Sequence, residues 1–169
     1  MVLTKDELIG ALNTEVRLLL HLASKVDAAM LDYRPAPKQR SILELLQYLA
    51  IMGPIHLRGV MAGSFDMEAW GSDWTAGEAA AKAMSLEEAR EAIANQPQLF
   101  ADLLGPCSED CLRTQIEMFG TRASRGSMLV SLLLSHYAAY RMQLFLYLKA
   151  GGREELNTMN LWVGIDRKM

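Results

Sequence analysis

The chain has 169 residues and 51% of them are hydrophobic, enough for one domain (1–169) with a sizeable core and too many for a disordered segment. The net charge is −3 at pH 7 and the basic residues are scattered, so the chain lacks the lysine- and arginine-rich surface that nucleic acid requires. Lys5, Asp6 and Glu7 stand where the apolar part of a secretory signal would lie, which makes a cytoplasmic protein the expectation.

Three helix starts share one chemistry. Thr4, Ser41 and Ser85 are each followed three residues later by a glutamate: Glu7, Glu44 and Glu88. The hydroxyl can accept from the third helical amide while the carboxylate reaches back to the cap amide. The first helix is predicted over 5–30, with Leu8, Leu12, Val16, Leu19, Ala23 and Val26 as its apolar stripe. Pro35 and Pro37 forbid its continuation. The second helix is predicted from Ser41 to Met61, kinked or split at Pro54.

Residues 62–77, "AGSFDMEAWGSDWTAG", are read as a long loop that packs down through Phe65, Trp70 and Trp74. The third helix is predicted over 86–104 with Pro97 as a kink. Residues 111–126 have mixed periodicity and read as extended or irregular chain. The fourth helix is predicted over 127–150, capped by Gly151, and the tail as a short helical turn followed by irregular chain. A membrane span is not expected: the one long apolar stretch, 128–148, contains Ser131, Ser135, His136, Arg141 and Gln143.

On the fourth helix, the row Leu129, Leu133, His136, Tyr140, Gln143, Tyr147 turns polar toward its C-terminal half. Such a row points to an internal hydrogen-bonded network or a pocket wall. His21 is read as mainly solvated, and His56 as too far along its helix from Tyr48 to join it. Cys107 and Cys111 are read as reduced thiols, because two cysteines make neither a disulfide framework nor a good zinc signal. The acids around the third helix start, Glu87, Glu88 and Glu91 among them, are explained by helix polarity and solvation.

"PAPKQRSILELLQYLA" and "SHYAAYRMQLFLYLKAGG" together resemble the DinB/YfiT-like superfamily of four-helix bundles. Ser41, Glu44 and Leu49 match the family's second-helix motif; His136, Arg141 and Gln143 match its fourth-helix motif. The resemblance implies an all-α, up-down-down-up bundle and a homodimer formed through helix faces. In the family, three histidines commonly bind a divalent metal, and some members are thiol-dependent transferases or isomerases. Here the second-helix ligand position is Tyr48 and the second fourth-helix position is Tyr140, so only His136 remains.

Neutral phenols bind metal poorly, so the expected cofactor is none, and Tyr48, His136, Tyr140 and Gln143 are expected to line a small-molecule pocket, with Tyr48 and Tyr140 bonded to His136. The expectation is then a metal-free bundle that binds a small molecule or serves a stress-related role, with enzyme activity left open. The alternative is a thiol S-transferase or isomerase with an altered site, in which His136, Tyr48 and Tyr140 hold a divalent or ferric ion.

Overall fold

The computed structural model describes residues 3–166. Helix α1 spans Lys5–Ala23, α2 Ile42–Met61, α3 Met67–Ala81, α4 Leu86–Ala94 and α5 Gln96–Leu104. A short α6 (Glu109–Arg113) leads to strands β1 (Gln115–Met118) and β2 (Thr121–Ser124). Helix α7 (Arg125–Leu129), a π-helical turn (Val130–Leu134) and α8 (Ser135–Ala150) run on as one long element, and α9 (Thr158–Trp162) closes the described chain. Both α1 and α2 pack against α8 and against the α4–α5 pair. These elements enclose one core that includes Leu12, Leu19, Leu46, Phe100, Leu133 and Leu148.

All three anticipated capping boxes form: Thr4 with Glu7, Ser41 with Glu44, and Ser85 with Glu88. The third predicted helix divides at Asn95 into α4 and α5, with Pro97 in the first turn of α5, where its missing N–H costs nothing. Helix α1 ends seven residues earlier than its stripe suggests. The guanidinium of Arg90 donates to the carbonyls of Ala23 and Val26, and a 3-10 turn at Ala28–Met30 keeps Val26 and Met30 buried.

Pro54 does not split α2. Its missing N–H leaves the Ala50 carbonyl without a helical donor. The buried Gln96 amide takes that place, donating to Ala50 at 3.2 Å and to Leu49 at 2.9 Å. The Gln96 oxygen in turn accepts from the Tyr137 hydroxyl. Gly53 is needed at this point, because a Cβ there would overlap that hydroxyl.

Three readings are corrected and one is refined. The 62–77 loop between the second and third predicted helices is largely helix α3. Asp66 caps it, accepting from Glu68 and Ala69 amides at 2.9 and 3.1 Å, and Gly77 and Gly59 let it lie close on α2. The 111–126 segment, read as extended or irregular, is extended at its centre and pairs with itself as an antiparallel hairpin, Gln115 opposite Ser124 and Met118 opposite Thr121. Its two-residue turn, Phe119–Gly120, has φ of 52° and 72°, the hairpin geometry that matches strand twist. Phenylalanine rarely adopts it; here Phe119 is held against Phe65 and Trp70 at ring separations of 4.8 and 5.0 Å.

Cys107 and Cys111 are joined in a disulfide, their Cα atoms 5.7 Å apart. Cys107 lies just before the Ser108 cap of α6 and Cys111 lies within that helix. His21 is half-buried, beside Asn160 (3.2 Å) and Asp166 (3.7 Å). The short tail helix is present, held by an Asn157–Asn160 capping box, and the predicted irregular chain beyond 166 lies outside the described residues.

Arg141 is 2% exposed and bidentate to Glu15 of α1, at 2.7 and 3.2 Å. It also donates to the Leu161 carbonyl and lies 4.7 Å over the Trp162 ring. Among the described residues no helix is long and apolar enough to cross a membrane.

Gly53→Ala is expected to lose about 1–3 kcal/mol of stability, because the methyl displaces Tyr137 from Gln96. Tyr137→Phe in the same chain should recover part of that loss, since the overlapping oxygen is gone. Urea midpoints of the two variants and wild type check both statements; equal midpoints for wild type and Gly53→Ala would refute them.

Candidate functional site

Three elements build the site. Helix α2 supplies Tyr48 and His56, α3 supplies Trp70 and Trp74, and α8 supplies His136 and Tyr140. Tyr48 meets Tyr140 at a ring separation of 5.0 Å, and His56 meets His136 at 5.1 Å. The two pairs run in opposite chain directions, so α2 and α8 are antiparallel. The π turn directly before α8 adds a residue to the helical register. After it the core face of α8 is Tyr137, Arg141, Leu144 and Leu148, and His136 and Tyr140 are turned to the flank that faces α2.

Trp74 joins the two halves. It stacks on Tyr48 (5.6 Å, 19° between planes) and meets His56 edge-on at 5.6 Å. Trp70 lies 5.5 Å from Trp74 and 6.1 Å from His56. On the outer side, Arg40 sits 4.0 Å over the Tyr48 ring, a cation–π contact. That side opens to a cleft of about 310 Å³ lined by Arg40, Glu44, Gln47, Tyr48, Glu78 and Lys82.

The hydrogen bonding differs from the expected network. Tyr140 donates to Tyr48 at 3.4 Å, and neither phenol bonds His136. Gln143 donates to Tyr147 at 2.6 Å, and Tyr147 donates to Gln39 at 3.3 Å, so Gln143 belongs to a separate chain of contacts. Four buried nitrogens in the cluster have no partner: Nδ1 of His56, Nδ1 of His136, and Nε1 of Trp70 and of Trp74. Burial holds the His56 pKa down at about 4, with repulsion from His136 adding to it. Burial also raises the Tyr48 phenol well above its ordinary value, reinforced by the Tyr140 hydrogen bond. The site therefore favours neutral groups.

Along α2 itself His56 is remote from Tyr48. The relevant neighbour is His136 on the antiparallel helix. The tryptophans did carry a signal: Trp70, Trp74, Gly77 and Ala81 fall at helical spacing, and this row is the face α3 lays on α2.

The residues do not fit a three-imidazole metal site. Tyr48 and Tyr140 bond each other, and the buried Tyr48 phenol resists the ionisation that metal ligation needs. His56 adds one imidazole to His136, but among the described residues no group of three His, Cys, Asp or Glu side chains is placed to hold an ion.

The structure is similar to that of a DinB-like protein, YjoA, from Bacillus subtilis, with a TM-score of 0.67 and 17% identity over 89% of this chain and 94% of that one. No protein-family model and no curated protein matches the chain. The likeness establishes a DinB-like all-α fold.

The depressed His56 pKa has a consequence for stability. A neutral imidazole preferred in the fold contributes stability that is fully present above its unfolded pKa of about 6.5. That contribution declines as pH falls from there to about 4, by up to about 3 kcal/mol. In His56→Gln, which does not titrate, urea unfolding between pH 7 and 4 should show a shallower decline than wild type. Parallel curves for the two proteins would refute it.

Proposed function

We propose that this DinB-like bundle binds a small molecule without a metal, at the aromatic cluster between α2, α3 and α8. The observation that carries the reading is the set of four buried, unpartnered nitrogens on His56, His136, Trp70 and Trp74. Buried polar groups are normally satisfied, so four on rings linked through His56 mark a place where a partner is missing. The indole nitrogens are donors only, and a neutral imidazole offers one donor and one acceptor. A ligand rich in oxygen acceptors suits that set. A cleft opens beside Tyr48, lined by Arg40 and Lys82 and by Glu44 and Glu78.

Binding-competent protein is stabilised by mass action, by about 2.7 kcal/mol at a ligand concentration one hundred times Kd. A thermal-shift screen of small carboxylates and amides should therefore find compounds that raise the melting temperature of wild type. The shift should shrink in His136→Ala and in Tyr140→Phe. Near-stoichiometric nickel, zinc or iron in protein purified without an affinity tag, lost in His136→Ala, would overturn the metal-free reading and favour the thiol-transferase alternative. A screen with no shift at all would count against ligand binding at this site.

We further propose a homodimer. Leu146 on α8 and Trp162 at the end of α9 are 55% and 58% exposed, apolar surface that a second copy would cover. Light scattering at micromolar concentration should give twice the chain mass; the mass of one chain would refute it.

A further inference from the structure

We propose that Cys107 and Cys111 form a hydroperoxide-reactive redox centre, with Cys111 as the attacking thiolate, Cys107 as the resolving thiol and Arg125 as the activating cation. Arg125 opens α7 and is 9% exposed. Its Nε donates to the Val60 carbonyl at 3.1 Å. One terminal nitrogen donates to the Cys111 carbonyl and to Cys111 Sγ, each at 3.2 Å. These acceptors are all uncharged, and among the described residues no carboxylate is in ion-pair contact with Arg125. A buried cation without a counter-charge is costly.

Reduction of the disulfide supplies one, because a thiolate at Cys111 lies against the guanidinium. A cation beside sulfur is the ordinary way in which proteins turn a thiol into a nucleophile. The acids nearest in sequence are otherwise engaged. Asp110 pairs with Arg113 at 2.8 Å, and Glu109 accepts from the Lys5 amide at 2.9 Å. The second oxygen of Glu109 is buried without a partner.

Exposure assigns the two roles. Cys111 is half-buried and open to a small oxidant, whereas Cys107 is 6% exposed. In the first step the Cys111 thiolate attacks one oxygen of the hydroperoxide. The S–O bond forms and the O–O bond breaks. The departing oxygen takes a proton and leaves as water or an alcohol, and the sulfur becomes a sulfenic acid, oxidised by two electrons. In the second step Cys107 attacks that sulfur. The S–S bond forms, the S–O bond breaks, and the hydroxide combines with the Cys107 proton as water. Two thiols and one hydroperoxide thus give the disulfide, water and a second water or an alcohol. A small dithiol, itself oxidised, restores the thiols by exchange.

The test uses the full chain, reduced with dithiothreitol, desalted and treated with equimolar hydrogen peroxide. Intact mass should fall by two hydrogens, and peptide mapping should join Cys107 to Cys111. In Cys107→Ser, dimedone should trap a sulfenic acid at Cys111; in Cys111→Ser, no label should appear at Cys107. Arg125→Gln should slow disulfide formation about tenfold. If that variant does not fold, the pH profile of iodoacetamide alkylation in Cys107→Ser decides, with a midpoint expected below the unperturbed value of about 8.5. Thiols that stay free under peroxide, dimedone labelling confined to Cys107, or an alkylation midpoint at or above that value would overturn the proposal.

Discussion

A single glutamine amide holds the bundle in register. Pro54 removes one hydrogen bond from the middle of α2, and the exposed Ala50 carbonyl would be a buried, unsatisfied group. Gln96, arriving at the start of α5, satisfies it and accepts from Tyr137 on α8. Three helices are thereby fixed at one height. The absence of a side chain at Gly53 is what allows α8 to come that close. A proline that would weaken an isolated helix becomes a docking point in the folded chain.

The site inherits its geometry from that register. Pro54 lies two residues before His56, and Tyr137 follows His136 directly, so the anchor that joins α2 to α8 also pairs the two imidazoles. The π turn before α8 contributes the other half, turning His136 and Tyr140 off the core face. The Arg141–Glu15 pair fastens the opposite side of α8 to α1 and to the tail. Inside the cluster, burial keeps His56 and Tyr48 uncharged. A site of neutral rings with free nitrogens is suited to binding through hydrogen bonds and stacking.

The helix starts and most of the bundle were readable in the chain because their signals are local. Each capping box lies within four residues, and the apolar stripe of α1 repeats at the helical period. Helix α3 was misread because Gly71, Gly77 and two aspartates suggested a loop. Its helical row of Trp70, Trp74, Gly77 and Ala81 acquires meaning only against a partner surface on α2. Tyr48, His136 and Tyr140 were identified as neighbours, but the hydrogen bonds assigned to them depended on side-chain directions that spacing does not give.

The sequence by itself determined an all-α bundle and its caps. Those properties follow from residue identity and from interactions a few positions apart. Only the tertiary structure decided that His56 stands beside His136, that two tryptophans close the cluster, that Gln143 belongs to another network, and that Cys107 reaches Cys111 beside Arg125. Each of these depends on how far one helix slides and turns against the next, or on a turn that breaks helical spacing, and periodicity along a single element contains no information about either.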